Sequence, residues 1–129
     1  MMIDFNILKA EDEDKKFCDE LRFSQDFPIS NNTAIFLLAA CIGYRLGGER
    51  VSSKKSQDVT KVSYIMENPM YKPILDAFDV LAEHEKVPTN IYVEEYASKG
   101  FKELMSWYSN KKPKNSEVLI NRIIATFAV

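Results

Sequence analysis

Nine apolar residues in a row, Ala34 to Ile42, sit inside the stretch NNTAIFLLAACIGYRLGGER at residues 31–50. A run this continuous has no polar face to turn toward water, so whatever element contains it must be covered on all sides. Asn31 or Asn32 supplies an N-cap, and Gly47 supplies a residue that tolerates the left-handed backbone at a helix end. The spacing predicts a buried helix over residues 31–46. At about 15 residues and roughly 22 Å it is shorter than the ~30 Å hydrocarbon core of a bilayer, so it reads as a central core helix and not as a membrane anchor.

The rest of the chain has helical periodicity around that element. Residues 11–23 open on the acidic EDED, which suits a helix N-terminus, and place Phe17, Cys18 and Leu21 on one face. Pro69 or Pro73 starts a third helix running to Lys86, with Ile74, Leu75, Phe78, Leu81 and Ala82 on its apolar side and Asp76, Asp79, Glu83 and Lys86 opposite. Thr89 or Asn90 caps a fourth, to about Asn110, carrying Val93, Ala97, Gly100, Phe101, Leu104, Met105 and Tyr108 at helical spacing. A glycine inside a helix costs about 1 kcal/mol relative to alanine, which points to close packing at Gly100. Asn115 or Ser116 opens the last helix, with Leu119, Ile120, Ile123, Ile124 and Phe127 as its stripe. Residues 47–66 remain as one long irregular loop. Val59 to Tyr64 alternate well enough for a short strand, but no partner strand is evident. The expectation is an all-α fold: a single domain, residues 1–129, of about five helices around the central helix.

With 129 residues the chain buries roughly two-thirds of its unfolded surface, enough for a core without disulfide or metal. Hydrophobic residues make up 46% and charged residues 28%, which separates it from disordered chains. Its two cysteines, Cys18 and Cys41, stand at no metal-ligand spacing and read as small buried residues. The opening MMIDFNILKAEDED has no basic start followed by an apolar run, so a cytoplasmic location is expected.

Charge is unevenly spread. Bases stand against acids four to eight over residues 1–27, five to two over 28–64, two to seven over 65–98 and six to two over 99–129. Any affinity for phosphates would therefore be local. The candidate binding surface is the basic group of the loop, Arg45, Arg50, Lys54, Lys55 and Lys61, suited to a nucleic-acid backbone or an acidic protein. A second group, Lys111, Lys112, Lys114 and Arg122, would extend it if both lie on one side.

Motifs for catalysis are weak. His84 has Asp76, Asp79 and Glu83 near it in sequence, but Glu83 and His84 diverge by about 100° on a helix and do not converge on one ion. Glu94 and Glu95 diverge in the same way, which argues against a carboxylate pair. One histidine and no nucleophile elbow leave no support for a hydrolytic triad, and Gly47-Gly48 lacks the remaining residues of a phosphate loop. No catalytic residue, metal ligand or cofactor is assigned.

Two pieces together resemble a known family. AIFLLAACIGYRLGGER and, some fifty residues on, IYVEEYASKGFKEL are similar to small accessory proteins encoded beside bacterial DNA phosphorothioation (Dnd) gene clusters, which belong to defence against foreign DNA. The resemblance covers roughly residues 27–108; the segment between the two pieces departs from the family's pattern. It implies a context and passes on no catalytic residues. The leading expectation is a non-catalytic accessory protein that contacts other protein components of a DNA-modification or anti-phage system, or a further copy of itself, with no membrane role. A DNA-binding module using the basic loop is the alternative, and a small metal-dependent nuclease the remote one.

Overall fold

A computed structural model of the protein describes residues 5–24, 27–52, 54–109 and 116–127. The elements are β1 (Ile7–Ala10), α1 (Asp12–Phe23), α2 (Asn32–Leu46), β2 (Gln57–Lys61), α3 (Val62–Met66), α4 (Lys72–Glu85), α5 (Thr89–Ser109) and α6 (Ser116–Phe127). The domain is mostly helical, with a small two-stranded sheet.

The helix ends follow from local chemistry. Asn31 caps α2 by accepting the Ala34 N–H at 2.8 Å, and Gly47, at φ 72°, closes it by donating its own N–H to the Tyr44 carbonyl. Asp12, Glu13 and Asp14 occupy the first turn of α1 and Arg22 its last turn, each sign matched to the helix dipole. Pro73 lies in the first turn of α4, where its missing N–H costs nothing. Lys86 ends α4 in the left-handed conformation usually left to glycine.

Helix α2 is the centre of the molecule, as its apolar run requires, and its most extensive contact is with α5. The two backbones touch. A Cβ added at Gly43 would overlap the Tyr96 carbonyl oxygen and sit 2.9 Å from the carbonyl carbon; one at Gly100 would overlap the Ala39 carbonyl oxygen and sit 2.5 Å from its carbon. Glycine is needed here for proximity, and the helix-propensity cost at Gly100 is offset by that contact. Around the crossing, Phe36, Ile42, Tyr92, Phe101 and Leu104 are fully buried, joined by Leu8 of β1, Leu21 of α1, Ile65 of α3, Leu75 of α4 and Leu119 of α6.

The sheet departs from an all-α reading and resolves the missing partner strand. Residues 47–66, expected to be a loop, contain β2 and α3, and β2 pairs antiparallel with β1, fifty residues earlier. Ile7 stands opposite Lys61 and Leu8 opposite Thr60; a bulge then shifts the register, so that Lys9 faces Asp58 and Ala10 faces Gln57. A two-stranded ribbon is marginal by itself. Here Leu8, Ala10, Val59 and Thr60 are buried against the helices, the Thr33 and Thr60 hydroxyls bond at 2.5 Å, and the Lys9 N–H is accepted by Glu94 of α5 at 2.8 Å. The side chain of Glu94 thus ties the backbone of β1 to α5.

One residue of α4 sits differently from its helical-wheel position. Asp79, expected on the solvated side, is buried and accepts the Thr89 hydroxyl at the start of α5. That hydrogen bond and the positive end of the α5 dipole compensate its loss of water.

Candidate functional site

The five cations of the loop do not share one face. Thr60, next to Lys61, bonds Thr33 at the start of α2, whereas Arg45 is at its end, so the length of α2, about 22 Å, lies between them. Arg50 is partly buried and committed to contacts within the molecule. Its Nε donates to Glu95 at 3.0 Å and its Nη1 to Glu85 at 3.2 Å, while its guanidinium lies over the Tyr92 ring at 4.8 Å and the Tyr96 ring at 5.7 Å. The Tyr92 hydroxyl completes the network by donating to Glu85 at 2.6 Å.

This hydrogen bond from Tyr92, helped by Arg50, holds the Glu85 carboxyl below its ordinary range, and burial together with Glu85 pushes the Tyr92 phenol up. Burial works against the Arg50 charge, but its bonds to Glu95, Tyr96 and Glu85 outweigh that and raise its pKa. The network ties the loop to α4 and α5; a polar hollow of about 530 Å³ lined by Gly48, Glu49, Arg50, Ser52, Glu85, Glu95 and Tyr96 opens above it.

The other four cations differ in setting. Lys54 is exposed. Lys55 donates to the Val51 carbonyl at 2.8 Å and is partly buried, which lowers its pKa against the opposing pull of Glu11, Glu95, Glu94 and Asp14. Lys61 lies 5.8 Å from the Tyr64 ring centroid. Arg45 is exposed and donates Nε to the Thr126 carbonyl of α6 at 3.3 Å. Of the second basic group, Lys111, Lys112 and Lys114 lie outside the described residues, and Arg122 is exposed on α6.

The carboxylates are engaged elsewhere. Glu94 and Glu95 diverge as neighbours on a helix must, one to Lys9 and the other to Arg50. Asp76 pairs with Lys72 at 2.7 Å. Asp14, fully buried, accepts Lys102 at 2.8 Å and Ser98 at 3.2 Å, and Lys102 also reaches Glu11 and Glu13. Desolvation raises the Asp14 pKa although Lys102 opposes it. Among the described residues no group of three or more His, Cys, Asp or Glu side chains is placed to hold a metal ion.

An apolar concavity was not signalled by charge or motif. Cys41, Tyr44 and Arg45 of α2, Pro73, Ile74, Ala77, Phe78 and Leu81 of α4, and Phe127 of α6 line an open groove of about 520 Å³. Tyr44 is held edge-on against Phe78 and Tyr96, with ring centroids 6.0 and 5.4 Å away, so this wall is rigidly supported. Phe127 and Ile124 of α6 remain 40% and 62% exposed at that end, although both belong to the stripe that periodicity marks as core. The signal in the sequence was a surplus: α4 and α6 each carry more apolar side chains than one buried face consumes. Among the described residues no helix is long and apolar enough to cross a membrane.

No protein-family model matches the chain, and no curated protein or solved structure matches it.

Proposed function

We propose that the protein is a non-catalytic interaction module that seats an amphipathic helix of a partner protein in the groove between α2, α4 and α6. The observation that carries this reading is the groove itself: three helices leave an apolar, open concavity of about 520 Å³, within the ~300–1,000 Å³ range of ligand sites. Helices recognise helices through such grooves by burying a stripe of anchors. At the rim stands Arg45, exposed and, among the described residues, with no carboxylate partner. It favours a partner whose apolar stripe is flanked by an acidic residue. The setting, other components of a bacterial DNA-modification or anti-phage system, rests on the resemblance of the α2 and α5 segments to the phosphorothioation-associated proteins.

Affinity capture from the native host tests the proposal. Wild-type protein should retain a defined component of such a system. Ala77→Arg, an exposed position within the groove, should lose it, and Lys54→Glu/Lys55→Glu should keep it. Capture of no component, or capture indifferent to Ala77→Arg, refutes the groove. Self-association abolished by Ala77→Arg would replace the partner helix by a second copy of the chain.

A further inference from the structure

At the opposite end of α2 lies a second hollow of different chemistry. Arg22 of α1, Asn31, Asn32 and Thr33 at the start of α2, Val59 and Thr60 of β2, Tyr64 of α3, and Asn68 and Tyr71 beyond it enclose a cleft of about 430 Å³. Its lining is three carboxamides, two hydroxyls, two phenols and a guanidinium, with one aliphatic side chain. Two aromatic rings are exposed beside or within it, Tyr64 at 55% and Phe23 at 71%, and each is already paired with a cation: Lys61 lies 5.8 Å from the Tyr64 centroid and Arg22 lies 4.2 Å from that of Phe23. Both rings stand at the surface with faces that a further flat group can cover.

We propose that this cleft binds single-stranded nucleic acid, seating one nucleotide inside it and stacking a neighbouring base on Phe23. Each part of a nucleotide meets a suitable group. A base has a flat π-face for Tyr64 and carbonyl acceptors on its edge, which the amide hydrogens of Asn31 and Asn68 can meet while their oxygens stay on the Ala34 and Met70 N–H groups. Asn68 has its oxygen engaged by the Met70 N–H at 2.8 Å, leaving its amide hydrogens as donors, while the Asn31 amide nitrogen makes a long 3.4 Å bond to Tyr71 that it can exchange for a ligand. Arg22 and Lys61 supply the cations for phosphates on either side. Asp19, the nearest acid of α1, is paired with Lys15 at 2.9 Å and takes the Asn32 amide, so its charge is partly neutralised. Two cation-bearing rings in succession suit a strand better than a lone nucleotide, since stacking platforms combined with backbone cations are how single strands are held without sequence preference. A duplex, whose bases are stacked and shielded, has nothing to offer Tyr64.

This inference is independent of the groove, which lies about 15–20 Å away along α2. Fluorescence anisotropy with a labelled single-stranded thymidine oligonucleotide at low salt should show saturable binding that weakens as salt rises. Tyr64→Ala should weaken it about tenfold or more, as loss of one stacked base does, and Arg22→Ala should weaken it and flatten the salt dependence. Both side chains are at the surface, so circular dichroism of the variants should match wild type; Tyr64→Phe, which keeps the ring, should restore binding. Ala77→Arg should bind normally. The proposal is overturned if wild type shows no binding, if Tyr64→Ala binds as wild type does, or if the same sequence as a duplex binds equally well. Thymidine monophosphate competing at the oligonucleotide's own affinity would also overturn it, by showing that the site is filled by a single nucleotide without its strand.

Discussion

Replacing Gly100 by alanine tests whether the α2–α5 crossing is as close as its geometry states. Helix propensity by itself predicts a gain of about 1 kcal/mol. The added methyl would overlap the Ala39 carbonyl oxygen and lie 2.5 Å from the carbonyl carbon, where non-bonded carbons rest at about 3.5–4.0 Å. The obstacle is backbone, so no side-chain rotation relieves it and the helices must part by about 1 Å along their largest shared face. Overpacking of this kind costs about 1–3 kcal/mol or more, and the backbone contact puts Gly100→Ala at the upper end. After the propensity gain, a net loss of about 2 kcal/mol remains, which for a domain of this size lowers the melting temperature by about 8 °C. Urea unfolding followed by far-ultraviolet circular dichroism should show a lower midpoint at an unchanged slope. Adding Ala39→Gly should give no rescue, because the obstructing group is the carbonyl and not the Ala39 methyl. A Gly100→Ala variant as stable as wild type, or more stable, would refute the reasoning.

Three other perturbations have defined outcomes. Lys102→Met leaves Asp14 buried beside Glu11 and Ser98 without its cation, a loss of about 3–5 kcal/mol at neutral pH. The Asp14 pKa is already raised in the folded state, so folding takes up a proton between the unfolded value of 3.8 and the higher folded one. Losing Lys102 raises the folded-state Asp14 pKa further, so the defect should be full above the variant's folded pKa and shrink as pH falls from there toward the wild-type one, which thermal melts across acidic pH will check; a defect that grows on acidification would contradict this. Arg50→Ala removes two ion pairs and a stacked cation from between α4 and α5, and should cost about 1–3 kcal/mol in urea unfolding, with Arg50→Lys recovering only part, since an ammonium cannot span Glu85 and Glu95 as a guanidinium does. Gly47→Ala, where a methyl meets open space but φ is 72°, should cost about 1 kcal/mol through strain alone and leave the α2–α5 packing intact, as near-ultraviolet circular dichroism would report.

Some of this was legible in the sequence for physical reasons. An all-round apolar helix such as α2 has one home, the centre, and Gly100 signals its neighbour because its cost demands compensation. Strand β1 was hidden because four residues, ILKA, carry too little periodicity, and its partner lies across two helices in sequence. Asp79 was misplaced because a helical wheel gives direction but not what another element brings to meet it. The same limit applies to α6: Leu119 is buried and Ile124 is not, on one stripe, since periodicity defines a face without saying how far the neighbours cover it. Of the basic residues, sequence gave the signs; only folding assigned Arg50 to Glu85, Glu95 and two tyrosine rings, and divided Lys61 from Arg45.

The pairing of β1 with β2 also sets a timetable for the growing chain. β1 is made first, and its partner emerges about fifty residues later, roughly 3–10 s at ordinary translation speeds. Glu94, which receives the Lys9 N–H, is later still. During that interval Leu8 and Ala10 lack the strand and the α5 contacts that complete their burial. A strand of only four residues, carrying a lysine and followed at once by four acids, is too short and too charged to recruit another nascent chain. The brevity that concealed β1 from sequence reading is thus what lets it wait.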